Sequence, residues 1–229
     1  IDSSVSPDLC YTYNMPLTLY WLEHSPPVRS VNLVIHALDL PVEYRDVDLY
    51  KQEQLAPWYI KLNPLHTVPL IDDDGFILWE SRAIMTYLVS KYGKDDSLYP
   101  KDLQKRAIVD QRLHYSNDVF YLLKHATAPL LFHNQQPSPE TLTKIQEAQE
   151  NVEKLLTGHK FMAGDSLTVA DYSYITLMDV LEVYCPTSNK FPLTKQWSEL
   201  CKSTMKDYDK VSKNGSSQLV AAVKKAFAA

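Results

Sequence analysis

HTVPLIDDDGFILWESRAI, His66 to Ile84, decides how the rest of this chain is read. His66 to Ile71 is strand-like, yet Pro69 sits inside it. A proline cannot donate to a sheet ladder, so it must stand at a strand start or an edge. A cis Val68–Pro69 bond would turn the chain there. It would leave the backbone N–H and C=O of Val68 facing outward, able to pair with an extended peptide as one strand pairs with another. Asp72-Asp73-Asp74-Gly75 is a tight turn and Phe76 to Trp79 the returning strand, so His66 to Trp79 predicts a hairpin. Ser81 to Lys91 then reads as a helix with Ile84, Tyr87 and Leu88 on one face. Glu80, Ser81 and Arg82 stand where that helix begins.

Working outward, Leu17 to Trp21 (LTLYW) is a short β-prone run. His24-Ser25-Pro26-Pro27 breaks it, and proline suits a first helical turn because its missing N–H is not needed there. Val28, Val31, Val34, Ile35 and Leu38 form a helical stripe that Pro41 is expected to end. Val42 to Asp48 alternates as a second strand, and Ala56 to Leu62 is a short helix behind Pro57. The order β-α-β-α-β-β-α implies a parallel pair joined by a crossover, with an antiparallel hairpin added. After Tyr92 the texture changes. Gly93 to Pro100 is a polar linker, and beyond it no strand pattern appears. Helices are expected over Leu103 to Lys124, Glu140 to Leu156, Thr168 to Tyr184, Leu193 to Met205 and Leu219 to Phe227.

Composition narrows the function. The 229 residues carry a formal net charge of -5, which disfavours a partner bound by phosphate neutralisation, so no nucleic acid is expected. No run reaches the ~18 apolar residues of a membrane span. No basic, then apolar, signal-peptide pattern opens the chain. Cys10, Cys185 and Cys201 are odd in number and far apart, matching neither a disulfide framework nor a zinc site; reduced thiols of a cytosolic protein are expected. Residues 1–14 have no period and read as a loosely ordered extension before Met15.

Three places offer chemistry. Glu80-Ser81-Arg82 meets a helix N-terminus, whose free N–H groups and partial positive charge suit a carboxylate. Ser81 adds a hydroxyl, Arg82 a cation and Glu80 an anion for an ammonium, so the trio can hold a zwitterionic α-amino-acid end. Alternatively, it is an ordinary cap with a solvated ion pair. Ser25 follows the first strand and opens a helix. Its hydroxyl can donate to a thiolate, or it can simply cap. Leu167-Thr168-Val169-Ala170-Asp171-Tyr172 has capping-box spacing, with Asp171 answering Thr168 and Leu167 and Tyr172 placed as a hydrophobic staple. Capping accounts for Asp171 without catalysis.

Taken together, SPPVRS (Ser25–Ser30), NPLHTVPLIDDDG (Asn63–Gly75), WESRAIMTYLVSKYGKDDSLYP (Trp79–Pro100), RAIVDQRL (Arg106–Leu113) and FMAGDSLTVADYS (Phe161–Ser173) resemble the cytosolic glutathione transferases. Among these, the arthropod delta and epsilon classes match above all. The long Trp79–Pro100 match is delta-like and SPPVRS epsilon-like. The resemblance runs from about Pro16 to the last helix. It implies a thioredoxin-like α/β N-terminal domain over 15–91, a linker over 92–102 and an all-α C-terminal domain over 103–229. It implies that Ser25 stabilises the glutathione thiolate and that Pro69 is cis. Val68 would pair with the cysteinyl backbone of glutathione, Glu80 and Ser81 would hold the γ-glutamyl end with Arg82 assisting, and His66 would reach the glycyl carboxylate.

The family often places a histidine where this chain has Gln54, which can hydrogen-bond but carries no charge. A hydrophobic electrophile would lie between the domains, against Tyr115, Phe120, Tyr121, His125 and Phe132. A cytoplasmic detoxifying homodimer without a metal follows from the same likeness. In related classes, the residue matching Arg82 lies near the subunit interface. Two other functions fit the same text: a non-catalytic carrier of hydrophobic ligands, and a glutathione-dependent peroxidase or isomerase.

Overall fold

The computed structural model describes residues 16–186 and 190–228. Cys10 and the expected extension over 1–14 lie outside that range. The first strand is β1 (Leu17–Trp21), followed by α1 (Pro26–Ala37) and β2 (Val42–Asp46). β2 pairs in parallel with β1, Leu17 opposite Val42 through Trp21 opposite Asp46. The helix α2 (Pro57–Leu62) leads to β3 (Leu70–Asp73) and β4 (Phe76–Trp79), and the sheet order is β2-β1-β3-β4. Asp74 and Gly75 form the hairpin's two-residue turn, both at positive φ (55° and 86°), the geometry that matches the twist of the flanking strands. Asp72 stays in the ladder, and its carboxylate accepts the Gly75 N–H at 2.8 Å.

Several boundaries of this half depart from expectation, among them β2, which ends at Asp46 rather than Asp48. The strand starts at Leu70 rather than His66, because His66 takes φ 46° and the Val68–Pro69 peptide is cis. Buried Asn63 fixes the loop, donating to the Thr67 carbonyl at 2.9 Å and accepting from the Leu65 N–H. α1 ends at Ala37, well before Pro41, with Asp39 at φ 57°. α1 is also more than a stripe: every residue from Pro27 to Ile35 is buried, because the sheet and α3 (Ser81–Tyr92) take one side and the helical half the other.

The helical half comprises α4 (Leu103–His133), α5 (Pro139–Leu155), α6 (Val169–Tyr184), α7 (Pro192–Thr204) and α8 (Asn214–Phe227). α4 passes the expected stop at Lys124 and contains Pro129. An interior proline costs about 3 kcal/mol. Here it falls in the last turns, where its carbonyl accepts from Asn134 and Gln135 and Asn134 ends the helix at φ 52°. α8 begins ahead of the expected Leu219, because one π-helical turn over Asp209–Lys213 feeds into it.

α6 is the central post, buried from Val169 to Met178. Its capping box closes as the spacing predicts. Asp171, fully buried, also accepts from the Met162 N–H and the Trp197 indole, each at 2.8 Å. Burial pushes its carboxyl above the ordinary range while these donors pull it down. Leu167 and Tyr172 both pack in the core.

Asp73, at the end of β3, ties the hairpin to α3 by accepting from Tyr87, Lys91 and Tyr92 at 2.6–2.7 Å. Burial works against its charge, but the Lys91, Tyr87 and Tyr92 donors outweigh burial and hold the carboxyl below its ordinary value. The stabilisation from Asp73 is therefore present above the unfolded-state value of about 3.9 and disappears as pH falls through the lower folded-state value. The Asp73→Asn variant is expected to show a flatter loss of stability on acidification below about pH 4 than the parent, read as urea midpoint against pH.

Candidate active site

The loop from β1 to α1 delivers Ser25 to the boundary between the two halves. Pro26 at the first helical position fixes the entry into α1, and the Ser25 carbonyl accepts the Arg29 N–H at 3.0 Å. The Ser25 side chain makes no cap bond, and its hydroxyl has no partner among the described residues. The capping alternative for Ser25 therefore fails at the side chain, which leaves the hydroxyl free beside the N-terminus of α1. Arg29, one turn on, is 1% exposed. It donates to the Ser212 hydroxyl at 2.9 Å and the Thr176 carbonyl at 3.0 Å, with Asp179 at 3.8 Å. Burial lowers its pKa and Asp179 opposes that. This buried cation pins the Ser25 turn against α6.

One cleft of about 320 Å³ is lined by Ser25, Gln54, His66, Val68, Pro69, Glu80, Ser81 and Arg82 together. All eight residues expected at the thiol and glutathione positions meet there. Among the described residues nothing pairs with the Val68 backbone. Gln54 carries a buried side-chain oxygen without a hydrogen-bond partner among the described residues. Glu80 sits at φ 74°, ψ 104°, a strained conformation for a non-glycine residue, and it too makes no cap bond. His66 and Glu80 thus bring two positive-φ residues to one cleft, a feature that sequence pattern does not reveal.

Ser81 is buried and receives a hydrogen bond from Arg82 at 3.1 Å. The rest of the Arg82 guanidinium is occupied elsewhere than in the open cleft. It donates to the Ser116 hydroxyl at 3.2 Å and the Ser116 carbonyl at 3.0 Å, and lies over the Phe120 ring. Burial draws its pKa down to about 10, with Glu80 opposing, so it stays a cation at neutral pH. Its geometry is that of a brace from Ser81 to α4.

A second cavity of about 200 Å³ opens beside the cleft, between α4, α6, α8 and the loop after β2. Of the five aromatic or histidine positions expected there, Phe120 and Phe132 line it. Tyr121 lines the cleft instead. Tyr115 and His125 line neither: the Tyr115 hydroxyl accepts from Asn151 of α5 at 3.0 Å, and His125 lies against the Tyr121 ring. The reason is helical phase. Phe120, Lys124, Thr127 and Leu131 share one face of α4, and Tyr115 and His125 fall off it. Sequence reading missed Tyr50, Leu177, Val180 and Leu219, which come from separate elements. Tyr50 stacks between His24 and Phe132, with centroids 5.8 and 5.7 Å apart. Burial holds His24 below the ordinary imidazole value against the pull of Glu23, so it is neutral at pH 7.

With this geometry in hand, the chain can be set beside known proteins. Residues 19–96 match the family model for the glutathione S-transferase N-terminal domain, and residues 84–203 match that for the C-terminal domain. A glutathione S-transferase 1 from Manduca sexta is 44% identical over 192 residues, covering 82% of this chain and 88% of its own. The structure of an epsilon-class glutathione S-transferase from the housefly Musca domestica superposes with a TM-score of 0.87 at 45% identity, covering 92% of this chain and 98% of that one. A glutathione transferase homologue from Drosophila mojavensis, solved with bound glutathione, gives a TM-score of 0.87 at 41% identity over 92% and 97% of the two chains.

Proposed function

The chain belongs to the glutathione S-transferase family, and from that membership and the cleft around Ser25 we propose that it joins the glutathione sulfur to small hydrophobic electrophiles. The observation that carries this reading is the free Ser25 hydroxyl in a cleft that also gathers Val68, Glu80 and Ser81. Glutathione lies along Val68, its amino-acid end at Glu80 and Ser81. The thiol loses its proton to solvent. Ser25 donates a hydrogen bond to the resulting thiolate, and the N-terminus of α1 adds a favourable dipole. The sulfur then attacks an electrophile held in the apolar cavity beside it. Arg82 holds Ser81 in place rather than touching the ligand itself.

The family's usual setting supports a cytoplasmic, detoxifying homodimer, and the exposed Phe76 on β4 and Ile108 on α4 offer apolar surface for a partner. Among the described residues, no helix is long and apolar enough to cross a membrane.

Retention on immobilised glutathione and a panel of electrophiles test the assignment. Turnover of at least one electrophile supports it. Poor retention with tight binding of an apolar dye and no turnover would show a carrier instead.

Gln54 gives a narrower test. Its unpaired oxygen suits an amide N–H of glutathione, and with the amide turned over its NH₂ suits the glycyl carboxylate. The Gln54→Ala variant is expected to raise the KM for glutathione by about five-fold with kcat little changed, the pattern of a lost uniform binding contact. Steady-state kinetics at saturating electrophile measure this.

A further inference from the structure

Ser25, Leu49, Phe120 and Lys124 line both the glutathione cleft and the apolar cavity. They mark the seam where a sulfur held at Ser25 meets its electrophile. Among the described residues lining the apolar cavity, Lys124 is the single Lys, Arg, Asp or Glu. Its ammonium lies 5.7 Å from the centre of the Tyr121 ring, on the cleft side. No described carboxylate forms an ion pair with it. His24, which lines the same cavity, is held below the ordinary imidazole value by burial.

An unpaired ammonium beside an apolar wall contributes little to holding a neutral hydrophobic molecule. Lys124 is solvent-exposed, and its pull on an anion forming beside it strengthens as a hydrophobic electrophile seated against the apolar wall displaces water from its ammonium. Such an anion arises when the thiolate adds without expelling a leaving group. In displacement, the negative charge departs on the leaving group. In conjugate addition nothing departs, and the charge collects on one oxygen that a single ammonium can meet. The cavity's 200 Å³ is below the roughly 300–1,000 Å³ typical of drug-sized ligands, so the electrophile is short.

We propose that Lys124 is a catalytic residue for addition of glutathione to short-chain α,β-unsaturated carbonyl compounds, donating a hydrogen bond to the carbonyl oxygen as it becomes an enolate. The assignment rests on the conjugation reading above. The sulfur forms a bond to the β-carbon, and the carbon–carbon π pair shifts to make the enolate. Solvent then protonates the α-carbon, replacing the proton lost from the thiol. The product is a saturated thioether, with no leaving group and no redox partner.

The test compares Lys124→Met and Lys124→Arg with the parent, using glutathione and two electrophiles of equal chain length, hexenal and hexyl iodide. Lys124→Met is expected to lose about ten-fold in kcat/KM with trans-2-hexenal, less than the roughly hundred-fold or more lost with a buried oxyanion donor, because Lys124 is exposed. Hexyl iodide turnover and the KM for glutathione are expected to stay within about two-fold, and Lys124→Arg to recover part of the hexenal rate. Equal losses with both electrophiles would overturn the proposal by placing Lys124 at the thiolate. A raised KM for glutathione would overturn it by placing Lys124 at a glutathione carboxylate. Unchanged kinetics, or a parent that uses hexyl iodide but not hexenal, would also overturn it. A parent that conjugates neither electrophile nor any other would overturn the conjugation reading, and this one with it.

Discussion

Ser25→Ala is expected to lower kcat/KM for conjugation about a hundred-fold at neutral pH, the loss found when one preorganised donor to a developing or held anion is removed. About 25-fold of that loss corresponds to a thiol depression of about two pKa units, or about 2.7 kcal/mol of preferential thiolate stabilisation, through the fraction ionised at pH 7. The sign follows from ionisation. A depressed thiol is mostly thiolate at pH 7. Without the hydroxyl, the bound thiol returns toward about 8.5, so the variant's rate should climb with pH until that value is passed. Ultraviolet titration of the thiolate in the binary complex measures the shift directly. Folding should be untouched, because the Ser25 side chain makes no cap bond and its backbone bonds persist in alanine. A variant with unchanged turnover and an unchanged pH profile would remove Ser25 from the mechanism.

Asp171→Ala should show the opposite pattern, a large loss of stability with intact chemistry in the molecules that remain folded. The carboxylate is fully buried and accepts from Met162, Thr168 and Trp197. Removing it leaves those donors unsatisfied at the head of α6 and against α7. The cost is expected to be about 3–5 kcal/mol, at the upper end for single substitutions. For a chain of this size that lowers Tm by about 10 °C or more. Thermal and urea unfolding measure it. Normal stability with lost activity would overturn the capping assignment and bring Asp171 into the catalytic machinery.

The parts of this fold that were legible in the sequence are those where a local cause acts alone. β1, β4 and α3 appear where alternation, an Asp-Gly turn and helical spacing predict them. The His66–Pro69 loop departs from expectation because its residues have strand composition, while the backbone there follows the Asn63 hydrogen bonds and a left-handed His66. α4 runs beyond Lys124 to His133, and Pro129 is tolerated there because it falls in the last turns.

That Ser25, Pro69, Glu80 and Ser81 would share one cleft was legible once they were weighed together, since in sequence each alone reads as a cap or an edge strand. The apolar cavity was far less legible. Its walls join α4 to Leu177 and Val180 of α6, Leu219 of α8 and Tyr50 of a loop, and no spacing links these positions. Aromatic content marked Tyr115 and His125, but helical phase decides what faces a cavity. That same phase admits Lys124, a residue whose composition gives no signal.

The Arg29 socket bears on how such a chain can evolve. The helix that opens with Ser25 belongs by sequence to the α/β half. Its buried guanidinium is nonetheless held by Thr176, Asp179 and Ser212 of the other half. The two halves are thus a lock and its key, inherited as a pair. Recombination that exchanges the helical half, and with it the choice of electrophile, must carry a matching socket or leave the reactive turn unanchored. Thr127, Ala128 and Leu131 on the cavity face of α4 carry no such cross-half tie, while Thr176, Asp179 and Ser212 hold the seam between the halves fixed.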